Sequence, residues 1–360
     1  MSCALFLCFC ITDVRAADIS AESGILYDPL TERILWSRNE HEKMPMASTT
    51  KIMTALVAMS LYEPESVVEI QPEWTGIEGS SMYLKPGEQL SVYDLLCGTL
   101  LMSGNDAATA LAGILTGNTE DFVELMNRKA RRLGMEDTSY ENPSGLDGEH
   151  HYSTAYDMAV LASEAMKYDD FREIVSSRSI STAGRTMSNH NKLLGMYDGA
   201  CGIKTGYTKK AGRCLVSAAE RQGRMLVAVT LSAPDDWNDH MALYDQAFES
   251  MTQTPVLESG DMGEVYVATG GNSSCGIYVQ QSYSALLFPG DEQKVSVSIE
   301  GPRIVYPPVY SGEKYGEAVV RLNGQEIFRT DVYFESDVAL PQREKGFFEK
   351  IKDRLFGMRN

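Results

Sequence analysis

The segment that most constrains the fold is apolar on most of its sides and begins with a serine and a lysine. Residues 48–51 read Ser-Thr-Thr-Lys, and the next eight residues place Ile52, Met53, Ala55, Leu56, Val57 and Met59 around most of a helix. Such a helix is buried inside a domain rather than lying on its surface. Since Ser48 and Lys51 are three residues apart, their side chains share one helix face about one turn apart. The pattern therefore predicts a lysine held against a serine at the start of an interior helix.

A serine and a lysine in this arrangement can form a nucleophile and its base. A free serine hydroxyl is a poor nucleophile and needs a base within hydrogen-bond reach. Lysine is a base only when neutral, and burial or a neighbouring cation favours the neutral form. Lys204 is the candidate cation. Five histidines are present, but none lies in a GxSxG or other recognisable triad string, which disfavours a Ser-His-Asp mechanism.

Two further strings follow in order, Ser-Gly-Asn at residues 103–105 and Lys-Thr-Gly at residues 204–206. The second begins a strand-like segment that we expect to lie at a sheet edge, where an extended peptide can pair with it and Gly206 leaves room for close approach. We expect a turn from Tyr207 to Gly212. Alone, this string would indicate only a hairpin with a solvated lysine.

The three strings in this order are typical of penicillin-binding proteins and serine β-lactamases. The chain resembles the low-molecular-mass penicillin-binding proteins that are serine-type D-alanyl-D-alanine carboxypeptidases. The resemblance covers most of residues 20–250 and extends to the segments 45–54, 79–82, 103–108, 142–146 and 202–208. It implies an α/β (α+β) DD-peptidase-like domain, with an antiparallel sheet flanked by helices. The implied activity removes the terminal D-alanine from peptidoglycan peptide stems, and the implied inhibitors are β-lactam antibiotics.

The resemblance also implies roles for the catalytic residues. Ser48 is the acylated nucleophile, and Lys51 is the base that takes its proton. Ser103 and Lys204 relay the proton to the departing D-alanine. No metal or organic cofactor is implied.

The remaining implied roles concern substrate binding. Asn105 holds the substrate amide, Thr205 binds the terminal carboxylate, and Gly206 lies beside them. The oxyanion lies between the backbone amides of Ser48 and Tyr207, where the helix dipole also helps.

One departure from the family pattern affects the carboxylate site. Relatives often carry an arginine there, whereas the corresponding stretch here, residues 235–240, has none. Arg213 is the candidate replacement.

Two alternative functions share the same motifs. A serine β-lactamase needs a group that activates the deacylating water, commonly a glutamate in an ExxLN string, and no such string is present between the second and third motifs. A non-catalytic wall-binding or penicillin-sensing module is disfavoured because every catalytic position is intact.

Composition and patterning divide the chain into four parts. Residues 1–17 resemble a secretory signal with a short apolar stretch, although a buried first strand is the alternative. Residues 18–252 are predicted to form the catalytic domain. Residues 256–340 read as a small β-sandwich, with an Asn323-Gly324 hairpin turn. Residues 343–360 are predicted to form an amphipathic, net basic helix that suits a membrane surface, with docking on the protein itself as the alternative.

Charge and cysteine content narrow the partners and the compartment. A formal net charge of -18 argues against nucleic acid. With the signal, the expected location is the extracytoplasmic face of the bacterial membrane or the cell wall. The four cysteines beyond the signal make no zinc pattern. Cys201 and Cys214 flank the Lys-Thr-Gly turn and are candidates for a disulfide across its two strands.

Overall fold

The computed structural model describes residues 19–268 and 274–340. The predicted signal and the predicted terminal helix lie outside the described residues. The described chain forms two compact units, divided between Glu249 and Ser250. Across these residues, none of the helices combines the length and the apolar content that a bilayer crossing requires.

From residue 19 onward, the first unit contains nine strands and eight α-helices. The strands are β1 Ser23–Asp28, β2 Arg33–Arg38, β3 Val67–Glu69, β4 Gln89–Ser91, β5 Ser179–Thr182, β6 Arg185–Ser188, β7 Ala200–Thr208, β8 Gly212–Arg221 and β9 Arg224–Leu231. The helices are α1 Lys51–Met59, α2 Val92–Leu100, α3 Asn105–Thr116, α4 Thr119–Arg132, α5 Ala155–Ala165, α6 Asp169–Ser176, α7 Leu193–Met196 and α8 Asp236–Glu249.

The central sheet is antiparallel, with the strand order β2-β1-β9-β8-β7. Helices α5 and α8 pack against it, and α1 packs among α2, α3, α4 and α5. Every residue from Lys51 to Ala58 is buried, so the prediction of an interior helix is confirmed. Strand β7, which carries the Lys-Thr-Gly string, is at the edge of the sheet as expected.

Local sequence signals explain where several elements begin. A 3-10 turn, Ala47–Thr50, precedes α1, so Ser48 lies in the turn rather than in the α-helix itself. Ser91 and Asp94 form a reciprocal capping box at the start of α2. Helix α3 begins at Asn105, shortly after Ser103, which has a left-handed φ of 59°.

Two expectations about the Lys-Thr-Gly region are wrong. Strand β7 continues through Tyr207 to Thr208 because both residues pair with β8, so the turn begins later than expected. The disulfide is also absent, since Cys201 and Cys214 are free thiols. Cys214 lies opposite Gly206, whereas Cys201 lies in a bulge opposite residues 218–219. Four to five residues of strand separate the two sites by roughly 15 Å, well beyond disulfide reach.

In residues 250–268 and 274–340, the second unit is all β apart from one 3-10 turn, Asp291–Lys294. Its strands are β10 Thr252–Leu257, β11 Gly260–Tyr266, β12 Ser274–Val279, β13 Tyr283–Leu287, β14 Val295–Glu300, β15 Lys314–Leu322 and β16 Gln325–Phe334. Five of them form an antiparallel sheet in the order β11-β12-β16-β15-β14, and β10 pairs with β13. Asn323 and Gly324 join β15 to β16 with φ of 52° and 81°, as a two-residue hairpin turn requires.

Candidate active site

A cleft of about 530 Å³ in the first unit brings the three motifs together. Five of the eight predicted site residues line it, namely Ser48, Ser103, Thr205, Gly206 and Tyr207. The other three, Lys51, Asn105 and Lys204, are buried.

The turn that carries Ser48 is held between strand β7 and the loop at residues 142–146. A Cβ atom added to Gly206 would lie 3.0 Å from the Ser48 nitrogen, and one added to Gly145 would lie 2.0 Å from the Ala47 carbonyl oxygen. Ala47 itself has a left-handed φ of 48°. Glycine is therefore needed on both sides so that the backbone can approach the turn closely.

Lys51 has three hydrogen-bond partners. Its Nζ lies 2.9 Å from Ser48 Oγ, 2.7 Å from Asn105 Oδ1 and 2.5 Å from the Ser144 carbonyl oxygen. An ammonium group can donate to all three. A neutral amine has only two N–H bonds, and the amide and carbonyl oxygens can only accept. The lone pair of neutral Lys51 is therefore left to face the Ser48 hydroxyl, which is the arrangement of a general base.

Burial and charge both favour that neutral form. Complete burial lowers the pKa of Lys51 well below its usual value, and the positive charge of Lys204 lowers it further, while Asp106 has a smaller opposing effect. Lys204 donates a 2.8 Å hydrogen bond to the Thr205 carbonyl oxygen, and burial lowers the pKa of Lys204 to about 7. A group with a pKa near neutrality can both give and take a proton.

Asn105 makes two hydrogen bonds within the protein in addition to the substrate contact that is expected of it. Its Oδ1 accepts from Lys51, and its Nδ2 donates to the Glu78 carbonyl oxygen at 2.5 Å. Its neighbour Asp106 accepts hydrogen bonds from the Met82 and Leu84 backbone amides and from the Ser81 hydroxyl. These contacts hold the loop at residues 78–84 beside the cleft.

The loop at residues 142–146 supplies a contact that the sequence did not assign to any role. Asn142 Oδ1 accepts from the backbone amides of Ser144, Gly145 and Leu146 at 2.7 to 3.1 Å. This places the Ser144 carbonyl oxygen against Lys51. The Asn-Pro-Ser-Gly string was a usable signal, because Asn side chains commonly close such turns. The atom that contacts the lysine belongs to the backbone, however, and no side-chain motif encodes it.

A buried histidine behind the nucleophile also went unassigned. His151 Nδ1 accepts from the Glu141 amide at 3.0 Å, so the proton of the neutral ring lies on Nε2. Nε2 lies 2.8 Å from the Thr50 hydroxyl, which in turn donates to the Ala47 carbonyl oxygen at 2.8 Å. Burial lowers the pKa of His151 to about 4, so the ring is neutral at physiological pH. The chain of contacts supports the turn that carries Ser48.

Arg213 occupies the wall of the cleft. It is the second residue of β8 and pairs with Tyr207 in the register of the sheet. Its Nη2 donates to Asp236 Oδ1 at 2.6 Å, and its guanidinium lies 5.5 Å from the Trp237 ring centroid. All three side chains line the cleft with Thr205. Residues 235–240 contain no arginine of their own. They instead supply Asp236 and Trp237, which hold the side chain of Arg213 from strand β8.

The part of the chain that the structure describes has no group of three or more His, Cys, Asp or Glu side chains arranged to hold a metal ion.

Comparison with known proteins agrees with this geometry. Residues 11–235 match the family model for D-alanyl-D-alanine carboxypeptidase, and residues 252–340 match the model for the C-terminal domain of penicillin-binding protein 5. D-alanyl-D-alanine carboxypeptidase DacF of Bacillus subtilis is 30% identical over 92% of this chain and 88% of its own length. DacC of Escherichia coli is 32% identical over 94% of this chain and 88% of its own length.

Solved structures show the same relationship. Penicillin-binding protein 5 from Haemophilus influenzae superposes with a TM-score of 0.63 at 28% identity, covering 89% of this chain and 98% of that one. A D-alanyl-D-alanine carboxypeptidase from Mycobacterium tuberculosis superposes with a TM-score of 0.61 at 36% identity, covering 64% of this chain and 92% of that one. The chain belongs to the D-alanyl-D-alanine carboxypeptidase family of serine peptidases. The predictions of family and fold class are confirmed.

Proposed function

We propose that this protein removes the terminal D-alanine from peptidoglycan peptide stems that end in D-Ala-D-Ala, through an acyl-enzyme on Ser48. β-Lactam antibiotics acylate the same serine. The observation that carries this proposal is the position of Lys51 Nζ, 2.9 Å from Ser48 Oγ with its two other contacts fixed on acceptor oxygens.

Acylation begins when neutral Lys51 takes the proton from Ser48 Oγ as that oxygen attacks the carbonyl carbon of the scissile bond. The negative charge on the carbonyl oxygen develops between the backbone amides of Ser48 and Tyr207, where preorganised donors are most effective. The close approach of Gly206 to the Ser48 nitrogen supports this placement, because it brings β7 against the nucleophile turn.

The departing D-alanine needs a proton on its amine. Ser103 lines the cleft and Lys204 is buried near Lys51, close enough for its charge to lower the Lys51 pKa. We assign Lys204 as the acid and Ser103 as the hydroxyl that passes the proton to the amine. Lys51 then passes the proton that it took from Ser48 to Lys204, so that Lys51 is neutral again. Water attacks the acyl-enzyme and gives its proton to Lys51, which returns it to Ser48 Oγ as the acyl bond breaks.

Recognition of the substrate terminus rests on Thr205 and Arg213. A carboxypeptidase must bind a free carboxylate, and guanidinium groups do so with charge-assisted hydrogen bonds. Arg213 is oriented by Asp236 on the wall of the cleft that Thr205 also lines. Asn105 primarily orients Lys51, and the second hydrogen of its Nδ2 is the one assigned to the substrate amide.

The proposed location is the extracytoplasmic side of the bacterial membrane. Peptidoglycan lies there, and the sequence of residues 1–17 supports export. The basic, amphipathic sequence of residues 343–360 supports attachment to the membrane surface.

The test measures D-alanine released from an N-acylated peptide that ends in D-Ala-D-Ala. Intact mass and peptide mapping after exposure to a labelled penicillin locate the adduct. Turnover together with an adduct on Ser48 supports the proposal. Efficient penicillin hydrolysis without D-alanine release supports a β-lactamase, and an adduct on any other residue refutes the assignment of Ser48.

A further inference from the structure

The second unit carries an apolar strip that its own fold leaves uncovered. Residues 304–310 alternate, with Val305, Pro307 and Val309 facing inward and Ile304, Tyr306, Pro308 and Tyr310 facing outward. These four outward residues form the tyrosine strip. Tyr306 is 70% exposed and Tyr310 is 59% exposed. Every outward position of this segment is thus apolar or aromatic, in a chain with a net charge of -18.

Backbone pairing fixes the strip in place on both sides. Val305 donates to the Tyr266 carbonyl oxygen at 3.1 Å and accepts from the Ala268 amide at 2.8 Å. Val309 and Val338 exchange two hydrogen bonds of 3.0 and 3.1 Å. Because the side chains of bridged partners point the same way and their neighbours point the opposite way, Tyr266 lies on the outer face with the strip. The strip is therefore part of an ordered surface.

The strip lies next to the point where the described chain ends. Val309, within the strip segment, is bridged to Val338, and Leu340, the last described residue, is also exposed. The next residues lead into the segment 343–360, which has six basic and three acidic side chains and apolar residues at helical spacing. An amphipathic segment attached at this point brings the strip close to whatever surface it binds.

The two ends of the strip differ in the charge of the residues beside them. Exposed Arg303 precedes the Ile304 end, whereas the Tyr310 backbone amide contacts the Glu313 carboxylate and the Ser311 amide contacts the Asp337 carboxylate. Anionic headgroups attract the first end and repel the second. The end with Ile304 and Tyr306 therefore suits the deeper position.

We infer that the tyrosine strip is a second membrane contact, which lies in the headgroup region beside the terminal segment. Tyrosine suits this position because its ring is apolar and its hydroxyl remains hydrated. The inference rests on the membrane attachment proposed above and extends it from the terminal segment to the folded domain.

The decisive experiment places a fluorophore in the strip. The full chain with Tyr306→Trp is mixed with vesicles of phosphatidylglycerol and phosphatidylcholine in which the acyl chains are brominated near the headgroup. We expect the fluorescence of the Tyr306→Trp variant to be quenched more than that of the parent protein and more than that of the Tyr310→Trp variant. Val67→Trp is the matched control, because Val67 is a similarly exposed apolar residue in the catalytic unit, and its added fluorescence is expected to be unquenched.

The outcomes separate the two proposals. If the parent chain fails to bind vesicles, both the membrane attachment and this inference fail. If the Tyr306→Trp chain binds but its introduced indole is unquenched, the terminal segment binds alone and this inference fails. If that indole is shielded from aqueous iodide in the absence of vesicles, the terminal segment folds back over the strip. If the protein binds isolated cell-wall glycan and this binding requires Tyr306, the strip binds a sugar ligand. Each of these results overturns the inference.

A second measurement uses the double variant Tyr306→Ser, Tyr310→Ser. Vesicle affinity is expected to fall about tenfold, because two aromatic rings no longer leave water. Release of D-alanine from a soluble peptide is expected to be unchanged, which shows that the variant is folded. The double variant Leu61→Ser, Val67→Ser removes two exposed apolar residues from the catalytic unit and is expected to bind vesicles like the parent. Equal affinity of the strip variant and the parent would contradict the inference.

Discussion

Replacing Arg213 by glutamine tests whether this residue binds the substrate carboxylate. Hydrogen bonds to charged groups contribute about 1.5–3 kcal/mol. The Arg213 side chain is 41% exposed, so solvent screening reduces this contribution. We expect a loss of about 1–2 kcal/mol, which is about 5- to 30-fold in kcat/KM. The loss should appear mainly in KM, because the carboxylate is bound both before and during the reaction.

The assay compares two peptides that differ only at the terminus, one ending in a free carboxylate and the other in a carboxamide. Arg213→Gln should weaken turnover of the acid and leave turnover of the amide unchanged. Arg213→Lys should be intermediate, since it keeps the charge but loses the planar fork and the contact with Trp237. An equal loss on both peptides would mean that Arg213 is only structural, and no loss on either would refute its role.

The variant also leaves Asp236 buried without its cation, which can reduce stability for reasons unrelated to substrate. The double variant Arg213→Gln, Asp236→Asn removes that unpaired charge and serves as the control. It should recover thermal stability without recovering selectivity for the acid peptide. Recovery of both would assign the effect to folding.

Three further predictions concern the residues around the nucleophile. Lys204→Gln removes the charge that lowers the Lys51 pKa, so the acidic limb of the pH profile for penicillin acylation should move to higher pH; an unshifted limb would mean that the two groups are uncoupled. Gly145→Ala should abolish acylation, because the new Cβ would collide with the Ala47 carbonyl oxygen. Gly134→Ala is the control, since Gly134 has a similar φ and nothing within 4 Å of the new Cβ, and it should cost only about 1–2 kcal/mol of stability. If the two variants had equal effects on thermal unfolding and on acylation, the close-contact explanation would be refuted. His151→Ala should slow acylation and lower the free energy of unfolding by about 1–3 kcal/mol, and His151→Gln, which keeps an N–H donor, should recover part of both; acylation at the parent rate in the alanine variant would show that the contact is dispensable.

The features that the sequence predicted correctly are those set by neighbouring residues. Ser48 and Lys51 share a helical turn, so three residues of spacing were enough to bring them together. The positive φ angles of Asn323 and Gly324 in the predicted hairpin turn likewise depend on local backbone chemistry.

The features that were missed depend on how distant segments pair. The register of β7 against β8 decides both the length of the strand beyond Tyr207 and the separation of Cys201 from Cys214. The orientation of Arg213 depends on Asp236, which lies 23 residues away. The contact between Lys51 and the Ser144 carbonyl oxygen joins segments that are 93 residues apart. Spacing within a motif contains no information about these distances.

The two buried lysines explain why such a site needs the surrounding fold. Burial lowers the pKa of each, and the charge of Lys204 lowers that of Lys51 further. Two cations this close in a dry interior disfavour each other, so their protonation is coupled and the apparent pKa values belong to the pair. Between pH 7 and the usual lysine pKa, the unfolded chain binds more protons at these two lysines than the folded chain does. The pair therefore destabilises the folded state in this pH range, and the destabilisation decreases as the pH rises through it. The same coupling favours the state in which Lys51 is neutral and Lys204 is protonated, which supplies the base for Ser48 and the acid for the departing amine.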